Sequence, residues 1–279
     1  MYQLINVCGS DAEHFLQGQL TQDLATLAAD AALPAAWCTP KGRVVATMRL
    51  VLSDDCICLL LPAAIATSFL QKISIYKLRA DVQFETKTDW QGIALQAAAD
   101  LQKLDDQHLL PDSTINSCRS NDSHITACIA TDPLTIEVFA LAEKIAGFEF
   151  QQPLDETEWR ATLIRSGIVR ISTNNSEKYT PHMISLDLAG AVSFNKGCYT
   201  GQEIVARTEH LGKSRRRLAR YACNASDIAV GDELFDGERA VGIVVNAAGG
   251  EVMAVTPAEI HDKVLMLKGA DAKPGVLAW

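Results

Sequence analysis

The chain has 279 residues, about half of them apolar, which suggests two or three domains with a sizeable core. A net charge of −9 argues against a general nucleic-acid binder. The longest uncharged stretch, Cys56 to Gln71, is broken by Pro62 and too short to span a bilayer, and the first residues show neither a basic nor a long apolar leader region. A soluble, cytoplasmic protein without a membrane partner is expected.

In chain order, residues 2–8 alternate as a strand. Ser10-Asp11 is a cap for a short helix that Gly18 is expected to end, and a further helical turn starts at Thr21. Strands are expected over 33–38, 44–53 and 56–61, with Pro40-Lys41-Gly42 as the turn between the first two. A helix over 63–76 and strands over 81–86 and 92–97 complete an α+β layer. Residues 100–122 read as an irregular surface connection. Runs 124–130 and 134–140 form a hairpin, and 155–166 is a helix capped by Asp155. Residues 172–181 are loop-like. From Arg215 onward, short β-rich runs between Gly, Asp and Asn turns predict a small antiparallel barrel or sandwich.

The run Lys196-Gly-Cys-Tyr-Thr-Gly-Gln-Glu203 carries the chemistry. Its thiol, Cys198, follows a glycine and a lysine, a setting in which a thiolate can be stabilised. Lys196 is either that stabilising cation or an ordinary surface lysine. Gly197 and Gly201 are expected to be conformational. Gln202 and Glu203 either brace the loop or touch a ligand, and Tyr199 either packs or donates its hydroxyl. The other seven cysteines read as small buried residues in a reducing compartment. No cysteine set has zinc or iron–sulfur spacing and no histidine has a neighbouring carboxylate at ligand spacing, so no metal site is expected.

The eight-residue run resembles the signature of the YgfZ family, folate-binding proteins similar to the aminomethyltransferase (T-protein) of the glycine cleavage system. The resemblance extends over Gly9 to Asp23, Lys41-Gly42-Arg43 with Met48-Arg49-Leu50, Trp159, Gly167-Ile168, Thr180 to Asp187, Val205-Ala-Arg207 and Arg216-Arg217-Leu218. It implies an α+β, three-domain arrangement around a central cleft. A ferredoxin-like N-terminal part would occupy 1–98, a middle α+β part with the cysteine motif 99–210, and a C-terminal antiparallel β-barrel 211–279. It further implies tetrahydrofolate or a one-carbon derivative as cofactor, and iron–sulfur client enzymes, including tRNA-modifying ones, as partners.

Under that resemblance Cys198 is the working thiol, as nucleophile, redox thiol or transient cluster ligand. Trp159 and Tyr2 are candidate aromatic surfaces for folate, each with core packing as the plain alternative. Arg79 and Arg207 are candidate partners for the folate carboxylates, or solvated arginines. Aminomethyl transfer needs an aspartate where this chain has Ala46 and Thr47, so a folate-dependent transferase is the weaker alternative. A third reading is an RNA- or protein-binding adaptor using Arg207, Lys213, Arg215, Arg216, Arg217 and Arg220. Without interleaved aromatics, RNA is not favoured over a strand whose charges brace a domain joint.

Overall fold

The structure is a computed structural model that describes residues 1–53, 55–212 and 214–277. Strands β1 (Tyr2–Cys8), β2 (Leu33–Cys38), β3 (Val44–Ser53), β4 (Cys56–Pro62) and β5 (Gln83–Lys87) form an antiparallel sheet in the order β2-β3-β4-β1-β5. Strand alternation divides their apolar residues between two faces. Ile5, Val7, Leu50, Leu59 and Leu61 pack under helices α1 (Ala12–Gln19) and α2 (Ala63–Ile73), against Phe15, Leu16, Ile65 and Phe69. Leu4, Val51, Cys58 and Leu60 face the other way, toward the second sheet.

That second sheet contains β6 (Trp90–Leu95), β7 (Cys118–Ser120), β8 (His124–Thr131) and β9 (Leu134–Leu141) in the order β6-β9-β8-β7. Its inner face, with Ile125, Ala127 and Phe139, meets the first sheet together with Trp159 and Leu163 of helix α5 (Glu156–Arg165). Its outer face is covered by α3 (Ala98–Asp105) and by Phe148, just after α4 (Ala142–Gly147). The expected division at residue 98 falls just after β6, which pairs with β9. Strands β10 (Arg216–Cys223), β11 (Glu233–Asp236), β12 (Arg239–Ala248), β13 (Glu251–Pro257), β14 (Leu265–Leu267) and β15 (Ala270–Gly275) close into a barrel in the order β10-β13-β12-β11-β14-β15. The α+β class and the C-terminal antiparallel barrel are as expected.

Several local expectations need correction. Helix α1 runs through Gly18 to Gln19, because the amide of Leu20 still bonds back to the Leu16 carbonyl. The connection expected over 100–122 contains most of α3 and all of β7; Leu101 and Leu104 are buried under the second sheet, which overrides the polar local sequence. Cys8 and Cys56 are disulfide-bonded rather than separate small residues, since the antiparallel pairing of β1 with β4 brings them together across 48 residues of chain. The cap expected at Asp155 is present: its carboxylate accepts from the Glu158 amide at 2.8 Å.

Candidate functional site

A cavity of about 330 Å³ opens between the first sheet and the two loops 166–170 and 186–191. Strand alternation on β3 turns Ala46 and Met48 into the core under the helices and Thr47 and Arg49 toward the cavity side. Tyr2 of β1 and Arg170 of the first loop complete a polar wall. Leu186, Leu188 and Ala191 form an apolar one.

The polar wall is held from behind. Arg49 pairs with Glu137 of β9, and the other Glu137 oxygen accepts from the Trp159 indole at 2.6 Å. The guanidinium groups of Arg49 and Arg170 lie 5.5 and 5.0 Å from the centre of the Tyr2 ring, within cation–π reach. Burial pulls the Arg49 guanidinium down, and Glu137 more than offsets this, so it stays charged. Burial, reinforced by Glu137, pushes the Tyr2 phenol up to about 12. Among the described residues, three buried polar atoms of these side chains have no hydrogen-bond partner: Tyr2 Oη, Arg49 Nη1 and Arg170 Nε. Thr47 is already committed: its hydroxyl donates to the Val169 carbonyl at 2.8 Å and accepts from the Ile171 amide.

The cysteine motif wraps around the end of α1. Lys196 is buried, and its ammonium donates to the carbonyls of Gln17, Leu20 and Gln22 at 2.6–2.9 Å. It is therefore not an ordinary surface lysine, and its three hydrogen bonds go to backbone carbonyls at the α1 end rather than to the Cys198 thiol. Burial lowers the Lys196 ammonium to about 8. Thr200 donates through its amide to Gly18 and through its hydroxyl to Gln19. Gly201 has φ +87 and caps helix α6 (Gln202–Leu211); a Cβ there would lie 2.4 Å from the Thr39 carbonyl. Gly197 has no such constraint, since a Cβ there would meet nothing within 4 Å. Its neighbour Cys198 is the one exposed thiol among the six free cysteines.

Of the residues singled out by sequence, Tyr2 lines the cavity and Trp159 stands behind it, with its ring 6.1 Å from that of Tyr2. Cys198, Lys196, Tyr199, Gln202 and Glu203 form the motif segment and do not line the cavity. Tyr199 is buried, with the Lys196 ammonium 5.3 Å from its ring centre. Arg79 and Arg207 are exposed and lie outside the lining. Arg49 and Arg170 were not singled out; a lone arginine inside the apolar run Met48-Arg-Leu-Val51 was the available signal.

Two further expectations are settled by geometry. One histidine does meet carboxylates in space: the Nε2 atom of His182 is 3.1 Å from Glu209, with Asp187 also near, although Asp187 is already held by Arg217. The basic run is largely engaged within the chain. Arg216 donates to the Val241 carbonyl, Arg217 grips Asp187 across the joint to the barrel, and Arg220 pairs with Glu251. Lys213 lies outside the described residues.

No protein-family model matches the chain. A protein of Edwardsiella ictaluri (strain 93-146) named tRNA-modifying protein YgfZ is 33% identical over 222 residues, covering 77% of this chain and 66% of that protein. The protein of the same name from Colwellia psychrerythraea is 30% identical over 223 residues, covering 77% and 67%. The match thus spans about two thirds of these relatives' own length. A crystal structure of glycine cleavage system aminomethyltransferase T from Bartonella henselae superposes with a TM-score of 0.76, covering 99% of this chain and 83% of that one at 17% identity. The fold is therefore T-protein-like.

Proposed function

The chain belongs to the YgfZ family, and on that premise we propose that it is a folate-binding accessory protein for tRNA modification, which supports iron–sulfur clusters in client enzymes through Cys198. The observation that carries the folate part is one cavity whose wall combines the Tyr2, Arg49 and Arg170 side chains with the apolar Leu186 and Leu188. A hydrogen bond from a charged donor on such a wall to a ligand acceptor is worth about 1.5–3 kcal/mol. The cavity volume falls in the ordinary range for small-molecule sites, roughly 300–1,000 Å³.

Tetrahydrofolate fits that donor set. Its pterin offers a carbonyl oxygen and ring nitrogens, and its tail offers carboxylates. Tyr2, Arg49 and Arg170 would donate to these acceptors, while Leu186 and Leu188 cover apolar surface. When bound, the folate supplies one-carbon carriage. The chain's own residues bind and orient it, and Trp159 fixes Glu137, which holds Arg49 in place.

Aminomethyl transfer is the less supported reading. At the two positions where it would need a carboxylate, Ala46 packs into the core and Thr47 spends its hydroxyl on the 169–171 backbone. Neither can relay a proton. The accessible thiol of Cys198 supports a role in contact with a partner, because a thiolate must be reached to act.

Calorimetric titration with tetrahydrofolate tests the cavity. Wild type should bind, and Arg170→Met should bind at least about tenfold more weakly, since one charge-assisted hydrogen bond is worth about 1.5–3 kcal/mol. A flat wild-type trace removes the folate premise. In a strain lacking the protein, Cys198→Ala should fail to restore activity of the affected tRNA-modifying iron–sulfur enzyme; full restoration removes the thiol from the mechanism.

A further inference from the structure

Beyond α2, the segment Ser74 to Arg79 shows a cluster of exposed features that the cavity does not use. Ile75, Tyr76 and Leu78 are 73%, 38% and 90% exposed, three of the eight exposed large apolar side chains among the described residues. Scattered exposed apolar residues need no explanation, but three within four positions form a patch. Leu78 also has φ +47, a left-handed conformation that a leucine rarely adopts.

The patch adjoins the cysteine motif. The Tyr76 ring packs edge-on to the Trp37 indole at 5.8 Å. The same indole donates from its Nε1 to Gln19, whose oxygen also accepts from Thr200, two residues from Cys198. Tyr76 and the motif therefore flank one indole. Two glycines near the thiol, Gly197 beside it in sequence and Gly18 bonded to the Thr200 amide, are not required by backbone geometry. Gly18 sits inside α1, where glycine costs about 1 kcal/mol relative to alanine. A Cβ at Gly18 or Gly197 would meet nothing within 4 Å, and neither has a positive φ.

Charge selects the occupant. Lys77 and Arg79 form no ion pair among the described residues, in a chain whose net charge is −9. The nearest carboxylate in sequence, Asp81, accepts from the Ser10 amide and hydroxyl, and Lys72 is paired with Glu177. A local cationic rim around exposed aliphatic groups complements an apolar spot ringed by carboxylates.

We infer that the Ile75–Arg79 segment is the docking surface for an acidic-surfaced client protein, seated so that its reactive group reaches Cys198 over Gly18 and Gly197. Aliphatic anchors favour a protein over RNA, which would call for stacked aromatics and more cations. The inference rests on the proposed function, and one set of variants separates the two.

In the deletion strain, a variant combining Ile75→Ser, Lys77→Glu and Leu78→Asp should restore less than a tenth of the client activity. Its thermal unfolding and tetrahydrofolate affinity should match wild type, as none of the three residues touches the cavity or a core. Full restoration by this variant overturns the docking surface, whereas full restoration by Cys198→Ala overturns the underlying reading instead. A photocrosslinking residue at position 78, compared with one at the exposed Val264, identifies the occupant. The trapped species should be a protein, and after purification it should bind the triple variant at least tenfold more weakly than wild type. Trapped tRNA, or no enrichment over position 264, overturns the inference.

Discussion

Arg49 of β3 and Glu137 of β9 form an ion pair with side chains only 4% and 0% exposed, joining two sheets by charge inside an otherwise apolar layer. Burying both charges is costly, and their attraction offsets the cost only with further hydrogen bonds. Glu137 has one in the Trp159 indole, whereas Arg49 Nη1 has no partner among the described residues. Removing one partner strands the other. Glu137→Leu is expected to destabilise by about 3–5 kcal/mol, and the double change Arg49→Met with Glu137→Leu by clearly less. Urea unfolding of both variants and wild type checks this. A double variant as unstable as the single one would show that the pair itself, not the stranded charge, carries the stability.

Thiol accessibility gives a second prediction. The native protein should react rapidly with one equivalent of a disulfide reagent, at Cys198. Denaturation without reduction should expose six free thiols, because Cys8 and Cys56 are bonded. Eight should react after reduction. The Cys198→Ser variant should lose the fast phase entirely. A fast native phase that survives in this variant would contradict the burial of the other five.

Local sequence made the strands legible, because a sheet covered on one face by helices and on the other by a second sheet calls for near-continuous apolar runs, as in β3 and β4. Tyr2 was legible as a candidate only through the family resemblance; the strand pairing then sets it on the face it shares with Leu4, lining the cavity. Arg49, Arg170 and Glu137 were not, because their meaning lies in which atoms they meet across 88 or more residues of chain. The role of Lys196 was hidden similarly. Its partners are backbone carbonyls of α1 and the turn after it, and carbonyls leave no mark in composition. Helix α3 was missed because its buried residues are few and its polar face dominates the local pattern.

The two glycines of the motif should separate on mutation. Gly201→Ala forces a Cβ into a left-handed conformation and onto the Thr39 carbonyl, so it should destabilise by at least about 1 kcal/mol. Gly197→Ala meets open space and should stay within about 0.5 kcal/mol of wild type. Thermal unfolding compares the two. Equal destabilisation would mean that the loop is held differently at Gly197.

Alkaline stability should be governed by buried thiols. Burial pushes Cys38, Cys58 and Cys118 from 9.0 up to about 12. In the unfolded chain these thiols lose their protons near pH 9, whereas in the folded chain they keep them until about 12. The folded state therefore binds more protons across that window, and stability falls as pH rises, by up to about 1.4 kcal/mol per pH unit for each thiol. Lys196 acts in the opposite sense. Burial lowers it from 10.5 to about 8, so between those values the unfolded chain holds the extra proton and stability rises with pH. One rising contribution against three falling ones leaves a net decline above pH 9, and Tyr2, raised from 10.0 to about 12, steepens it above pH 10. Urea unfolding at pH 8.5, 10 and 11, with Cys198 alkylated beforehand to prevent exchange with the Cys8–Cys56 bond, measures the slope. Replacing Cys58 by alanine should flatten it by about one proton. A wild-type stability that stayed level from pH 9 to 11 would mean that the interior thiols ionise as freely in the folded chain as in water, against the cost of charging a buried thiol.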